Sequence, residues 1–153
     1  MTQQYTLSID SPLGPLALVQ EGDALTELYW QRAATEMPTP LLHDAARQLA
    51  EYFAKKRRVF DLPMAPAGSG FEQSVWTAMS RIPYGQWRSY GELAAEVDGM
   101  AQAVGAACGT NPLPILIPCH RVLAAEGRMG GYSGKGGLKT KQALLVLEGA
   151  LLV

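Results

Sequence analysis

Pro63-Met64-Ala65-Pro66-Ala67-Gly68-Ser69-Gly70, PMAPAGSG, divides this 153-residue chain. Its prolines and glycines interrupt the periodic patterns on either side, so it reads as a linker between two lobes, residues 1–66 and 67–153. Upstream, Tyr5 to Asp10 alternates apolar and polar residues, as a half-buried strand does. Ser11-Pro12-Leu13-Gly14 is turn chemistry, and Leu16–Gln20 and Leu25–Trp30 are two further strands about Glu21-Gly22-Asp23. Leu41, Leu42, Ala45, Ala46, Leu49, Ala50 and Phe53 recur at helical spacing, which predicts an amphipathic helix over about 40–55. Lys55 to Arg58 then reads as a solvated helix C-terminus favourable to the dipole, and Val59 to Leu62 is expected to return as a strand.

Downstream, the second lobe is mostly helical. Ser69 with Glu72 forms a capping-box pattern ahead of Phe71, Val75, Met79 and Ile82, and that helix stops at Pro83-Tyr84-Gly85. Ser89 with Glu92 repeats the pattern ahead of Leu93, Ala94 and Val97. After a tight break at Asp98-Gly99, Met100 to Cys108 is a further helix, so the pair reads as a helix-turn-helix. Its second helix carries Ala101, Ala103, Gly105, Ala106 and Ala107, with only Gln102 long enough to reach a base edge. Small residues of this kind permit either close helix packing or a smooth face laid against a minor groove. The expected fold class is therefore α+β: a small sheet-and-helix lobe followed by a helical lobe.

Composition bounds the function. At 48% hydrophobic and 18% charged, the chain is ordinary globular protein, and no apolar run approaches a membrane span. Nothing at the N-terminus resembles an export signal, so reduced thiols and a cytoplasmic location are the expectation. His43 and His120 are the only histidines, which argues against a protein-ligated metal. The net charge of −1 argues against a strong nucleic-acid binder, although from Gly70 onward basic side chains slightly outnumber acidic ones.

The chemistry-bearing stretch is Pro114–Val122, PILIPCHRV. Ile115 to Ile117 read as buried backbone, and Cys119 follows where that packed segment meets a rigid turn. Such a cysteine is either a packing thiol or a held nucleophile, and an adjacent histidine does not decide between them. The segment Gly127–Gly137, GRMGGYSGKGG, is a flexible loop without a phosphate-cradle pattern. The last helix, about Leu138 to Glu148, stops at Gly149. Glu148 sits near its C-terminal end, where the helix dipole disfavours an anion; it is either an exposed terminal glutamate or a group placed to orient His120.

Taken in order, FEQSVW (Phe71–Trp76), IPYGQ (Ile82–Gln86), SYGELA (Ser89–Ala94), GTNPLPILIPCHRV (Gly109–Val122), GGYSG (Gly130–Gly134) and LLVLEG (Leu144–Gly149) resemble the O(6)-alkylguanine-DNA alkyltransferases. SPLGPL at Ser11–Leu16 extends the resemblance more loosely into the first lobe. The resemblance implies a ribonuclease-H-like first lobe and a second lobe that binds DNA and accepts the alkyl group. It implies direct-reversal repair: an alkyl group moves from O6 of guanine, and from O4 of thymine, to Cys119 in a single irreversible turnover. His120 acts as base through a water, Glu148 orients it, and Asn111 braces the active-site turn. Tyr90 helps flip and bind the base, while Val122, Tyr132 and Ser133 contact it. Ser89, Tyr90, Ala101, Gln102, Ala103, Gly105, Ala106 and Arg121 are the implied DNA contacts, through the minor groove of a duplex. No cofactor or metal is implied, and a monomer is expected. The alternative is a non-catalytic relative that only binds alkylated DNA, but those relatives replace the cysteine, which is present here. The chain departs from the family at Gln102, where most members carry arginine, and in a turn before it that is about two residues short. Weakened DNA binding or flipping is the expected consequence.

Overall fold

The computed structural model describes residues 3–151. The chain divides into two compact units between Ala67 and Gly68. The first holds strands β1 (Gln4–Ile9), β2 (Leu16–Glu21) and β3 (Ala24–Tyr29) and helix α1 (Pro40–Phe53). The strands form an antiparallel sheet in the order β1-β2-β3, with Leu7 opposite Leu18 and Leu18 opposite Leu28. The central strand is buried throughout Leu16–Val19, because α1 covers part of the sheet. Thr39 caps α1 by accepting from the Leu42 amide at 3.0 Å, and Pro40 follows in the first turn, where its missing N–H costs nothing. Leu42, Ala45, Leu49 and Tyr52 are the fully buried stripe of that helix.

The strand expected at Val59–Leu62 does not form. The buried Gln48 amide binds both backbone groups of Asp61, donating to its carbonyl at 3.1 Å and accepting from its N–H at 2.9 Å. A side chain thus satisfies the backbone that a ladder would have used. Pairing resumes two residues beyond Leu62, inside PMAPAGSG. Met64 bridges Leu25, with Leu25 N–H donating to Pro63 at 2.9 Å and Ala65 N–H donating to Leu25 at 2.8 Å. The first part of the stretch read as linker is therefore stitched to β3.

The second unit holds α2 (Gly70–Ser80), β4 (Arg88–Ser89), α3 (Tyr90–Glu96), α4 (Ala101–Gly109), β5 (Val122–Leu123) and α5 (Leu138–Leu147). Both capping boxes form, Ser69 with Glu72 and Ser89 with Glu92. Helix α3 ends in a Schellman arrangement, with Gly99 N–H returning to Ala94 at 2.9 Å and Asp98 left-handed at φ 54°. Gly99 is required there for room, since a Cβ would lie 2.8 Å from the Phe71 ring. Helix α4 packs on α2 and α3, and the buried Trp76 indole donates to the Ala107 carbonyl at 2.8 Å. Val75, Trp76, Met79, Leu93, Val104, Leu113, Leu144 and Leu145 make the core of this unit. The α+β expectation holds. Among the described residues no helix is long and apolar enough to cross a membrane.

Candidate active site

The turn that carries Cys119 is braced and strained. Asn111 sits just past the end of α4. Its amide donates to the Ile117 carbonyl at 2.8 Å and accepts from the Leu113 N–H at 2.9 Å. Between those anchors Ile115 is held at φ 73°, a left-handed conformation that a β-branched residue adopts at a cost of about 1–3 kcal/mol. Burial of Ile115, Leu116 and Ile117 holds it there. Cys119, His120 and Arg121 then form one 3-10 turn, so their side chains leave in different directions. Strand β5 follows at once and pairs in parallel with β4, Arg88 opposite Val122 and Ser89 opposite Leu123. That short ladder places Tyr90, the next residue of β4's chain, beside the cysteine turn.

Cys119 lines a cavity of about 430 Å³ with Tyr90, Gly105, Cys108, Gly109, Gly131, Tyr132 and Ser133. The thiol is only 6% exposed. Burial pushes its pKa up, while the Asn111 amide, the Lys141 charge and the Tyr132 hydroxyl pull it down without prevailing. The resting cysteine is therefore a thiol. Burial likewise raises the Cys108 thiol to about 12 and raises the Tyr90 and Tyr132 hydroxyls.

Behind the cysteine, His120 Nε2 lies 2.7 Å from Glu148 Oε2, with both side chains fully buried. Burial by itself would raise the Glu148 pKa, but hydrogen bonds from His120 and Arg121 overcome it and hold the carboxyl at about 2. Burial lowers the pKa of His120, against the pull of Glu148, so the imidazole is neutral. An ionised carboxylate only accepts, so Nε2 carries the ring hydrogen and Nδ1 keeps the lone pair. Nδ1 is buried and has no hydrogen-bond partner among the described residues. A neutral base, an oriented tautomer and a buried thiol are one residue apart.

Arg121 departs from its expected role as a DNA contact. It is 7% exposed, and its guanidinium forks onto Glu148, Nε to Oε1 at 2.8 Å and Nη2 to Oε2 at 3.0 Å. Its third arm donates to the Ile82 carbonyl at 2.7 Å, and the group lies 5.9 Å from the Tyr84 ring centre. The reason is topological: the turn after Cys119 faces the end of α5, and a carboxylate placed against the helix dipole there needs a cation. The other expected DNA contacts are divided. Ala101, Gln102, Ala103 and Ala106 are exposed on α4, whereas Gly105 is half-buried at the cavity. The Ser89 hydroxyl is occupied in capping α3. Val122 is fully buried, and Tyr132 and Ser133 stand on the loop at the cavity edge.

Two groups escaped the sequence reading. Cys108 lines the cavity, and Lys141 is fully buried with its ammonium on the loop backbone. A signal for Lys141 was available: it is a cation in the N-terminal part of α5, as unfavourable to the dipole as Glu148 is at the other end. Among the described residues no cluster of three or more His, Cys, Asp or Glu is gathered to hold a metal.

Comparison with known proteins bears on this geometry. Residues 70–150 match the family model described as "6-O-methylguanine DNA methyltransferase, DNA binding domain", and residues 4–66 match its "ribonuclease-like domain". A methylated-DNA–protein-cysteine methyltransferase of Mycobacterium bovis is 44% identical, covering 92% of this chain and 90% of its own. One from Methanosarcina acetivorans is 37% identical, over 95% of this chain and 99% of its own. The crystal structure of Mycobacterium tuberculosis OGT in complex with DNA superposes with a TM-score of 0.86 at 43% identity, over 95% of this chain and 93% of that one.

Proposed function

The chain belongs to the 6-O-methylguanine DNA methyltransferase family, and from that membership we propose that it repairs duplex DNA by taking the alkyl group of O(6)-alkylguanine onto Cys119. The observation that carries the reading is the cavity that Cys119 lines, with the imidazole of the next residue, His120, bound at 2.7 Å to the buried Glu148. A flipped base enters that cavity, because the alkylated oxygen is unreachable inside the stack. His120 Nδ1 takes the thiol proton through a water, which turns a buried thiol into a thiolate only when substrate is present. The thiolate sulfur attacks the alkyl carbon in line, the carbon–oxygen bond breaks, and its electron pair leaves with the guanine oxygen. Imidazolium formed at His120 is stabilised by Glu148, as in a catalytic triad. The thioether does not hydrolyse, so each protein molecule works once.

The surface around the cavity supports the same substrate. Ala101, Ala103 and Ala106 present a face of small side chains on α4 beside the longer Gln102, which suits close approach to a minor groove. Tyr90 bears on the flipped base, and Tyr132 and Ser133 close over it and donate to its oxygen. O(4)-alkylthymine places its alkyl group comparably and is taken as a second substrate. The protein acts as a monomer, without cofactor or metal.

The test is to incubate the protein with a duplex containing O(6)-methylguanine and measure its intact mass. A gain of one methyl group per chain, abolished by Cys119→Ser, is the expected result. Binding without any mass gain overturns the transferase reading and leaves a protein that only recognises alkylated DNA.

A further inference from the structure

Lys141 is fully buried, yet among the described residues no carboxylate lies within ion-pair distance of it. Its three ammonium donors go elsewhere: to the Met129 carbonyl, to the Gly131 carbonyl at 2.9 Å and to the Tyr90 hydroxyl at 3.4 Å. The ammonium also stands 5.6 Å from the centre of the Tyr90 ring. A buried cation without a counter-ion is costly, and an apolar side chain of the same length would fill this space more cheaply. Its position in the N-terminal part of α5 adds a dipole penalty. The bonds that offset those costs are to the backbone of one loop.

That loop carries Tyr132 and Ser133 to the cavity edge. It is held on both sides of those residues by consecutive positions of α5. Lys141 takes Met129 and Gly131 before them, and the Thr140 hydroxyl donates to the Lys135 carbonyl after them at 2.5 Å. Gly130 lies flat against Tyr90 at φ 66°, where a Cβ would come within 2.8 Å of the ring. Only the tip between these anchors is left to the substrate.

We propose that Lys141 is a positioning residue that fastens the glycine-rich loop to α5 and Tyr90, and so presents Tyr132 and Ser133 to a base bound over Cys119. The inference rests on the function proposed above for the meaning of that base, but the fastening itself belongs to the free protein. Burial lowers the Lys141 pKa to about 8, and ionisation of Cys108 on α4 or of Cys119 on its turn would raise it again. The ammonium is therefore the main form at neutral pH, and an anion forming at Cys119 strengthens rather than releases the fastening.

Limited proteolysis of the free protein tests this without substrate. In Lys141→Met, cleavage within residues 128–135 should be about tenfold faster or more, and Lys141→Arg should restore resistance in part. In single-turnover transfer from an O(6)-methylguanine duplex, Lys141→Met should raise the half-saturating concentration about tenfold and lower the saturating rate less than threefold. Unchanged cleavage within the loop in Lys141→Met overturns the proposal, as does a loss confined to the saturating rate. Should Lys141→Met not fold, the labelled wild-type protein decides by NMR. Slowly exchanging Lys141 ammonium protons correlated with the Met129 and Gly131 carbonyl carbons are expected, and their absence refutes the fastening. A wild-type protein that shows the fastening but gains no methyl group removes the transferase reading alone.

Discussion

Replacing Arg121 by methionine removes the guanidinium and keeps most of the stem. Two hydrogen bonds to Glu148, at 2.8 and 3.0 Å, and one to Ile82, at 2.7 Å, are lost. Glu148 stays behind with its side chain fully buried and without the guanidinium. Removing one partner of a buried pair costs about 3–5 kcal/mol, because the remaining charge is uncompensated. The total stability of such a domain is about 5–15 kcal/mol, so the loss is a large part of it. Urea denaturation followed by tryptophan fluorescence measures it directly, since Trp76 and Trp87 both lie in this unit. The pH dependence carries the sharper test. In the wild type the Glu148 pKa is depressed to about 2, so its contribution is fully present above the unfolded value of 4.5 and disappears as pH falls through 2. Without Arg121 one of the two groups that depress it is gone, so the folded pKa rises back toward the ordinary carboxyl range and the variant loses less stability than the wild type as pH falls. The gap between the two proteins should therefore be widest near pH 7 and narrow steadily in acid. In a Glu148→Gln background, Arg121→Met should cost at least 2 kcal/mol less, since no bare carboxylate remains, with the cycle giving the coupling. A loss below about 1 kcal/mol at pH 7, or a gap that is the same at pH 7 and pH 3, refutes the reasoning.

Glu148→Gln should slow methyl transfer about 10²-fold or more, because an amide no longer dictates which imidazole nitrogen keeps its lone pair; stopped single-turnover assays by intact mass read this. Asn111→Ala leaves the Leu113 N–H without its partner and the Ile117 carbonyl with the Cys119 N–H alone, and should cost about 1–3 kcal/mol in urea denaturation. It should also slow transfer, whereas unchanged stability would mean that the turn holds itself. Gln102→Arg should accelerate repair of duplex DNA more than reaction with the free alkylguanine base, because the position is exposed on α4 and does not line the cavity. Equal acceleration on both would place its effect elsewhere.

What the chain makes legible is local. Ser69 with Glu72 and Ser89 with Glu92 announce their helices because a capping box is closed within four residues. The alternation in Tyr5–Asp10 and the stripe from Leu42 to Phe53 mark a strand and a helix because side-chain period follows backbone geometry. The ordered motifs around PCHRV carry the family. Even Glu148 stood out, because an anion at a helix C-terminus is locally unfavourable. Tertiary structure decided the rest. Val59–Leu62 looks like a strand until the Gln48 amide, thirteen residues before Asp61, takes its backbone. Arg121 looks like a basic residue for DNA until Glu148, twenty-seven residues on, is packed beneath it. Lys141 stands against the dipole of α5, but only the Met129–Gly131 backbone closing over it shows what the charge binds, and nothing in PILIPCHRV tells that Ile115 is left-handed. Hydrogen-bond partners for buried charges are chosen by which elements meet in space, and the parallel pairing of β4 with β5 and the docking of α5 against the Cys119 turn set those meetings.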